Sequence, residues 1–313
     1  MCQRRVSRRE LVSLGVRTAG SLLIAGSIPA ALARAGTSGR VPVAVATSTD
    51  VEAALKGALE AVGGMKRYVA KGDIVLVKPN IGWDRVPDQA ANTDPELVIS
   101  LIRQVLEAGA KEVRIFDRTC NEPRRCYINS GIEPSVREFA KKEGVADRVN
   151  IYHVERRKFV RVEIQNAEVL KRWPLYRDAL EVDKMINVPV AKHHSLSGYT
   201  LSLKNLMGVM GGNRGQIHWR LSSALADLNG FLKTHLAVID GTKILLRNGP
   251  SGGNVNDVEK RDTLIVSPNP VAADAVAASV LFSADAASIA HIREASSRGL
   301  GPIEKGNINI IQS

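Results

Sequence analysis

"DIVLVKPN" (73–80), "NTDPELVISLIRQVLEAGA" (92–110) and "EVRIFD" (112–117) follow one another closely, and their reading decides the fold. The first is a β-rich run that ends in Pro79 and Asn80. The second opens at Thr93 with Glu96 three residues on, the pattern of a capping box, and Pro95 lies inside the first turn. Leu97, Leu101 and Val105 recur at helical spacing, and Gly109 closes the segment. The third is again strand-like. Strand, amphipathic helix and strand in succession predict an α/β fold, a largely parallel sheet flanked by helices.

The pattern continues outward on both sides. "VPVAVA" (41–46) reads as a strand and "DVEAALKGALEAV" (50–62) as a helix. Downstream, "KMINVPV" (184–190), "LAVIDG" (236–241) and "TLIVS" (263–267) read as strands. Helices are expected near 217–235 and over "PVAADAVAASVLF" (270–282). The Arg-rich middle (155–183) fits a sub-domain or an edge hairpin. No internal repeat is visible, and one domain or two interlocked lobes both suit the length.

Residues 1–35 read as a segment apart. "SRRELV" (7–12) sets Arg8 and Arg9 ahead of the weakly apolar run "TAGSLLIAGSIPAALA" (18–33), and "ARA" (33–35) supplies a small-x-small cleavage site. These are the parts of a signal peptide, and the twin arginines select the Tat export machinery. The alternative is an uncleaved membrane anchor, but about 14 apolar residues fall short of the ~20 needed to span hydrocarbon. No later stretch reads as a membrane span. A periplasmic or otherwise exported α/β domain over 36–313 is expected.

The formal charge of +11 over the 313 residues owes much to that segment, which holds six arginines against Glu10. The remainder keeps 37 basic and 31 acidic groups. With aromatics at 4%, the chain lacks the basic and aromatic interleaving of single-strand nucleic-acid binders. Nucleic acid is not an expected partner, and oligomeric state is not legible. Beyond Cys2, only Cys120 and Cys126 remain. Two thiols cannot hold a four-thiolate iron–sulfur cluster or zinc site; a disulfide and two free thiols both remain open.

In open α/β sheets, ligands bind beyond the carboxyl ends of the strands. Those ends carry Lys78 and Asn80, Asp117, then Lys192, His193 and His194, and finally Asp240. A helix cap is the competing reading for Asp117 and Asp240. Between Asp183 and Asp227 there is no carboxylate, while Lys184, Lys192, Lys204, Arg214 and Arg220 fall there with three of the six histidines. The glycine-rich "GVMGGNRG" (208–215) adds close backbone approach, so the window suits a phosphate or carboxylate. Neighbours on an extended chain point to opposite faces, so only one of His193 and His194 should face a ligand. "LRNGPSGGNVND" (246–257) reads as a lid or a plain flexible connection.

"VLVKPN" (75–80), "NTDPELV" (92–98), "VPVAKHH" (188–194), "SLKNLMG" (202–208), "VIDG" (238–241) and "NPVAADAVAASVLF" (269–282) together resemble the domain of unknown function 362 family, over about 70–285. Many members carry a ferredoxin-type segment, for which this chain has no cysteine set. A more distant likeness joins His194, Gly198, Thr200 and Lys204, followed by His218, to the nickel-pincer-dependent lactate racemases. That likeness implies Lys204 as the attachment of a nickel-type cofactor, His194 as general acid/base and His218 as a ligand. It picks His194 over His193. It stops at "IFDRTCNEPRR" (115–125), which lacks the racemases' other catalytic histidine, and at "KPNIGWDR" (78–85), which replaces their Asp-x-x-Arg-type element.

The expectation is therefore an enzyme acting on a small anionic ligand, its reaction and cofactor undetermined. Lys78, His194 and Lys204 are the catalytic candidates. Asn80, Lys192, Thr200, Asn205 and Gly208 are the binding candidates, and His218, Asp117 and Asp240 the metal candidates. Two competing readings are a periplasmic binding or carrier protein without chemistry, and a scaffold whose cations meet an acidic partner.

Overall fold

In the computed structural model, residues 39–313 are described. The expected signal segment (1–35) lies outside them. In chain order the larger elements are β1 (Val41–Thr47), α1 (Val51–Ala61), β2 (Ile74–Pro79), α2 (Pro95–Glu107), β3 (Glu112–Ile115), α3 (Pro123–Asn129), α4 (Ile132–Lys142) and β4 (Val149–Ile151). A hairpin of β5 (Phe159–Glu163) and β6 (Arg172–Tyr176) follows, then α5 (Arg177–Glu181), β7 (Lys184–Val188), β8 (Val190–His194), β9 (Gly198–Thr200) and α6 (Ser202–Asn205). The chain ends with α7 (Leu221–Phe231), β10 (Leu236–Leu245), β11 (Val258–Ser267), α8 (Pro270–Phe282), α9 (Ala290–Ser297) and β12 (Ile308–Gln312).

The main sheet runs β12-β1-β11-β10-β7-β2-β3-β4, with β8 paired to β10 and to β9. Pairings from β10 through β7, β2 and β3 to β4 are parallel, and β11 runs antiparallel between β1 and β10. Every residue of β2 is buried, as expected of a central strand covered on both faces. Its side chains alternate: Val75 and Val77 pack with α1, α2 and α4, while Leu76 packs on the opposite side with Met185, Tyr176 and α7. Helix α8 is apolar almost all round and sits beneath β1, β10 and β11. The α/β architecture is thus present, and residues 41–313 form one compact unit. The Arg-rich middle resolves into the β5–β6 hairpin.

Two local expectations need correction. Helix α2 is capped by Asp94, whose carboxylate accepts from Glu96 N–H at 2.8 Å. Thr93 turns inward instead, accepting from Asn80 N–H and donating to the Val188 carbonyl, and so ties the helix entry to two strand ends. The strand expected over 184–190 is broken at Pro189. The residues beyond it form β8, where "AKHH" is strand and not loop.

Candidate functional site

The carboxyl ends of β2 and β3, strands β8 and β9, and the segment from α6 to Arg214 surround a cavity of about 510 Å³. Asn80, Asp117, Lys192, His194, Thr200, Lys204, Asn205, Gly208 and His218 all line it. Nine of the eleven candidates therefore meet in one hollow. Lys78 and Asp240 do not.

Lys78, a catalytic candidate, does not line the cavity. Its ammonium is fully buried, donating to Asp117 Oδ1 at 2.8 Å and to the Pro79 carbonyl at 2.8 Å. Burial pulls its pKa down, and the Asp117 carboxylate pulls it back up. Gly208 covers the pair: a Cβ at that residue would fall 1.7 Å from Asp117 Oδ1 and 2.6 Å from Lys78 Nζ. This glycine is required by a close approach to an ion pair. Asp240 is corrected from metal candidate to structural cap, one oxygen accepting from Asp94 N–H and the other from Thr242. Its carboxyl is pushed up to about 6 by burial and by Asp94.

The two remaining lysines have no carboxylate of their own. Lys192 is 1% exposed; its ammonium donates to Asn80 Oδ1 at 3.1 Å and to the Ala91 carbonyl. Burial brings its pKa down to about 7. Lys204 is 8% exposed, its nearest polar partner is Met207 Sδ at 3.7 Å, and burial with Arg214 nearby brings it down to about 8. Arg214 is fixed by the carbonyls of Arg118, Met207 and Thr119 and reaches Cys120 Sγ at 3.7 Å. The one carboxylate on the cavity wall is Asp117, whose oxygens are taken by Lys78 and by Ile81 N–H. The cavity wall thus carries two lysines and two arginines against one carboxylate already paired with Lys78.

His194 faces this cavity, while His193 Nδ1 accepts from Gly249 N–H at 3.2 Å. Leu196 N–H donates to His194 Nδ1 at 3.2 Å, which assigns the ring proton to Nε2. Burial and the surrounding Lys204, His218 and Lys192 push His194 down to about 3, so it is neutral at physiological pH. The His218 ring lies nearly parallel to it, centroids 6.1 Å apart at 18°. His218 Nδ1 is 3.1 Å from the Gly215 carbonyl, an acceptor only, so its Nε2 carries a lone pair in the neutral ring.

Several contributors, Asn187 and Asp274 among them, escaped the sequence reading. Asn187 ties the candidate Asn205 to α6: Asn205 accepts from Asn80 and donates to Asn187, which donates to Ser202. Asp274, on α8, accepts from Ser202 and Leu203 N–H at 2.7 and 2.9 Å and so holds the turn that carries Lys204. Burial raises its carboxyl to about 8 against those two hydrogen bonds. An aspartate inside "PVAADAVAASVLF" was the available signal, because an acid in so apolar a helix needs a partner. Pro250, from the Gly/Asn loop, closes one side of the cavity, and Arg85 holds the loop through the Ser251 carbonyl. Cys120 is a free thiol on the wall, and Cys126 is a separate buried thiol pushed up to about 11 by burial.

Among the described residues, no group of three His, Cys, Asp or Glu is placed to hold a metal ion. His218 and Lys204 both line the cavity, His218 with its Nε2 free of the Gly215 contact and Lys204 with Met207 Sδ as its nearest polar partner. No described helix is long and apolar enough to cross a membrane.

The family described as Domain of unknown function (DUF362) matches this chain over residues 75–279. A thylakoid-associated protein of Synechocystis sp. is 27% identical over 265 residues, covering 80% of this chain and 75% of its own. Among solved structures, a protein from Thermotoga maritima aligns with a TM-score of 0.44 at 15% identity, over 75% of this chain and 58% of its own. The lactate racemase apoprotein from Thermoanaerobacterium thermosaccharolyticum gives 0.43 at 11%, over 84% and 58%. The chain spans less than two thirds of the length of either solved structure.

Proposed function

Starting from the fact that the chain belongs to the DUF362 family, whose name carries no activity, we propose that it is an exported enzyme acting on a small anionic substrate. One observation carries the reading: Lys192 and Lys204 are buried beside neutral His194 without a counter-charge. Burying an unpaired ammonium is costly, and a fold keeps such groups where a ligand supplies the missing charge. The substrate's anionic group would sit between Lys192, Lys204 and Arg214.

The roles follow from protonation. His194 offers Nε2–H, so it donates a hydrogen bond to developing negative charge. Lys204, with its pKa brought close to neutrality, exchanges a proton readily: it is partly a free amine before the anion binds, and the bound anion recharges it, so in the complex it serves as proton donor to the substrate. Lys78 and Asp117 hold the floor, and Asn80, Asn205 and Asn187 fix the spacing of the two lysines' supports. Were a nickel-type group bound at Lys204 and His218, it would supply hydride or redox chemistry; anion binding by Lys192 and Arg214 and hydrogen-bond donation by His194 do not depend on it.

A test is to incubate the protein in D2O with small 2-hydroxy and 2-oxo acids and follow carbon-bound hydrogen by NMR. Exchange that is lost in Lys204→Met and His194→Ala supports an enzyme. Binding without any exchange favours the second reading, an anion carrier. Those readings also separate in His194→Ala, which should abolish turnover with affinity mostly retained in an enzyme, and reduce affinity alone in a carrier.

Export through the Tat machinery is part of the same proposal. The thylakoid association of the Synechocystis protein supports a location outside the cytosol. Replacing Arg8 and Arg9 by lysine should leave the precursor in the cytoplasm; unchanged export would remove this part.

A further inference from the structure

Beside the anion-binding cavity lies a second of about 540 Å³, and the two share Asp117, Arg118 and Thr119 in their walls. The second adds Arg156 and an apolar side made by Pro123, Val154 and Phe159. Arg118 stands at the junction. Its guanidinium donates to the carbonyls of Met210 and Gly212 at 2.8 and 3.0 Å and lies 5.8 Å from the centre of the Phe159 ring. Among the described residues, none of Arg118, Arg156 and Arg214 forms a salt bridge, although ten other ion pairs of this chain use arginine. Burial lowers the pKa of Arg118, and the nearby Arg214 and Arg156 push it the same way. Asp117, the one carboxylate on either wall, is spent on Lys78.

A single small anion at Lys192 and Lys204 would leave half-buried Arg118 facing the second cavity without a carboxylate, with exposed Arg156 at that cavity's rim. We propose that the substrate is an organic dianion, its first charged group between Lys192, Lys204 and Arg214 and its second between Arg118 and Arg156. This rests on the anion-binding reading of the first cavity and extends it. The linking carbon chain passes Asp117 and Thr119 and lies against Val154 and Phe159, where methylene groups replace water. Guanidinium recognises a carboxylate by paired N–H donors, so the second group is planar and carboxylate-like.

The experiment is calorimetric titration at fixed ionic strength with two series of probes. One is the dicarboxylates succinate, glutarate and adipate; the other is the monocarboxylates butyrate, valerate and hexanoate of the same lengths. The best dicarboxylate should bind roughly tenfold tighter than its monocarboxylate, the size of a charge-assisted hydrogen bond. In Arg156→Ala that ratio should fall to about twofold or less, while Arg157→Ala, whose partner is Glu155, should keep it. Monocarboxylates that bind as well as dicarboxylates, or a ratio untouched in Arg156→Ala, would overturn the second subsite and leave the first cavity's reading standing. No binding by any member of either series would overturn both.

Discussion

A methyl group at Gly208 would lie 1.7 Å from Asp117 Oδ1, so the ion pair of Asp117 with Lys78 and the glycine above it exist only together. The pair is buried, and the cost of separating it is large. Gly208→Ala should therefore lose about 3–5 kcal/mol in denaturant unfolding, as when one partner of a buried pair is removed. Lys78→Met alone should cost a similar amount. The double variant Lys78→Met/Asp117→Leu should recover much of it, because no charge is then left unpaired. Equal losses in single and double variants would mean that the pair is not energetically coupled.

The buried lysines set a pH dependence of stability. Folding lowers Lys192 to about 7 and Lys204 to about 8, below the 10.5 of an unfolded lysine. Between pH 8 and 9.5 the unfolded chain then binds more protons than the folded one, so stability rises with pH, by up to about 1.4 kcal/mol per pH unit for each group. Melting temperature should climb across that window, less steeply in Lys204→Met. Sulfate, by returning the lysines to their charged state, should flatten the climb. A melting temperature that stays flat across the window, and is unchanged in Lys204→Met, would place the ammonium groups in solvent.

Chemical reactivity gives an independent check on Lys204. An amine brought down to about 8 is far more nucleophilic at pH 8 than one that titrates at 10.5. Limited acetylation at pH 8, read by peptide mass spectrometry, should label Lys204 ahead of exposed lysines such as Lys66, despite its burial. Sulfate should protect it. Preferential labelling of surface lysines would contradict the lowered value.

Asp274 supports the site from behind. Asp274→Ala removes the acceptors of two buried N–H groups, which should cost about 2–4 kcal/mol. It should also loosen the turn that carries Lys204, so labelling of Lys204 falls toward that of surface lysines. Loss of stability with labelling unchanged would make Asp274 a structural cap only.

Much of this was legible in the sequence for physical reasons that differ by residue. Helix α2 and strand β2 follow from spacing and from Pro95, all local features, while the cap lies one residue later than the capping-box pattern places it, at Asp94 instead of Thr93. The gathering of Lys192, His194 and Lys204 was legible because strand ends share one rim and the window around them lacks acids. Lys78 misled because its place at a strand end is the same whether its ammonium faces the cavity or an aspartate beneath it. Gly208 was chosen for the right loop but for a different reason, since the ion pair below it comes from residues 130 and 91 positions earlier in the chain. Asn187 and Asp274 act through contacts between distant segments, which no local pattern records.

The most direct measurement is calorimetric titration of the purified protein with sulfate at pH 8.5, repeated in buffers of different ionisation enthalpy. A cavity that holds an anion between Lys192, Lys204 and Arg214 should bind sulfate and take up between about one and two protons from the buffer as Lys192 and Lys204 recharge, and that uptake should fall to about one in Lys204→Met, where Lys192 alone remains to recharge. Absence of binding, or binding with no proton taken up, would contradict the presence of an anion site built on two uncompensated lysines.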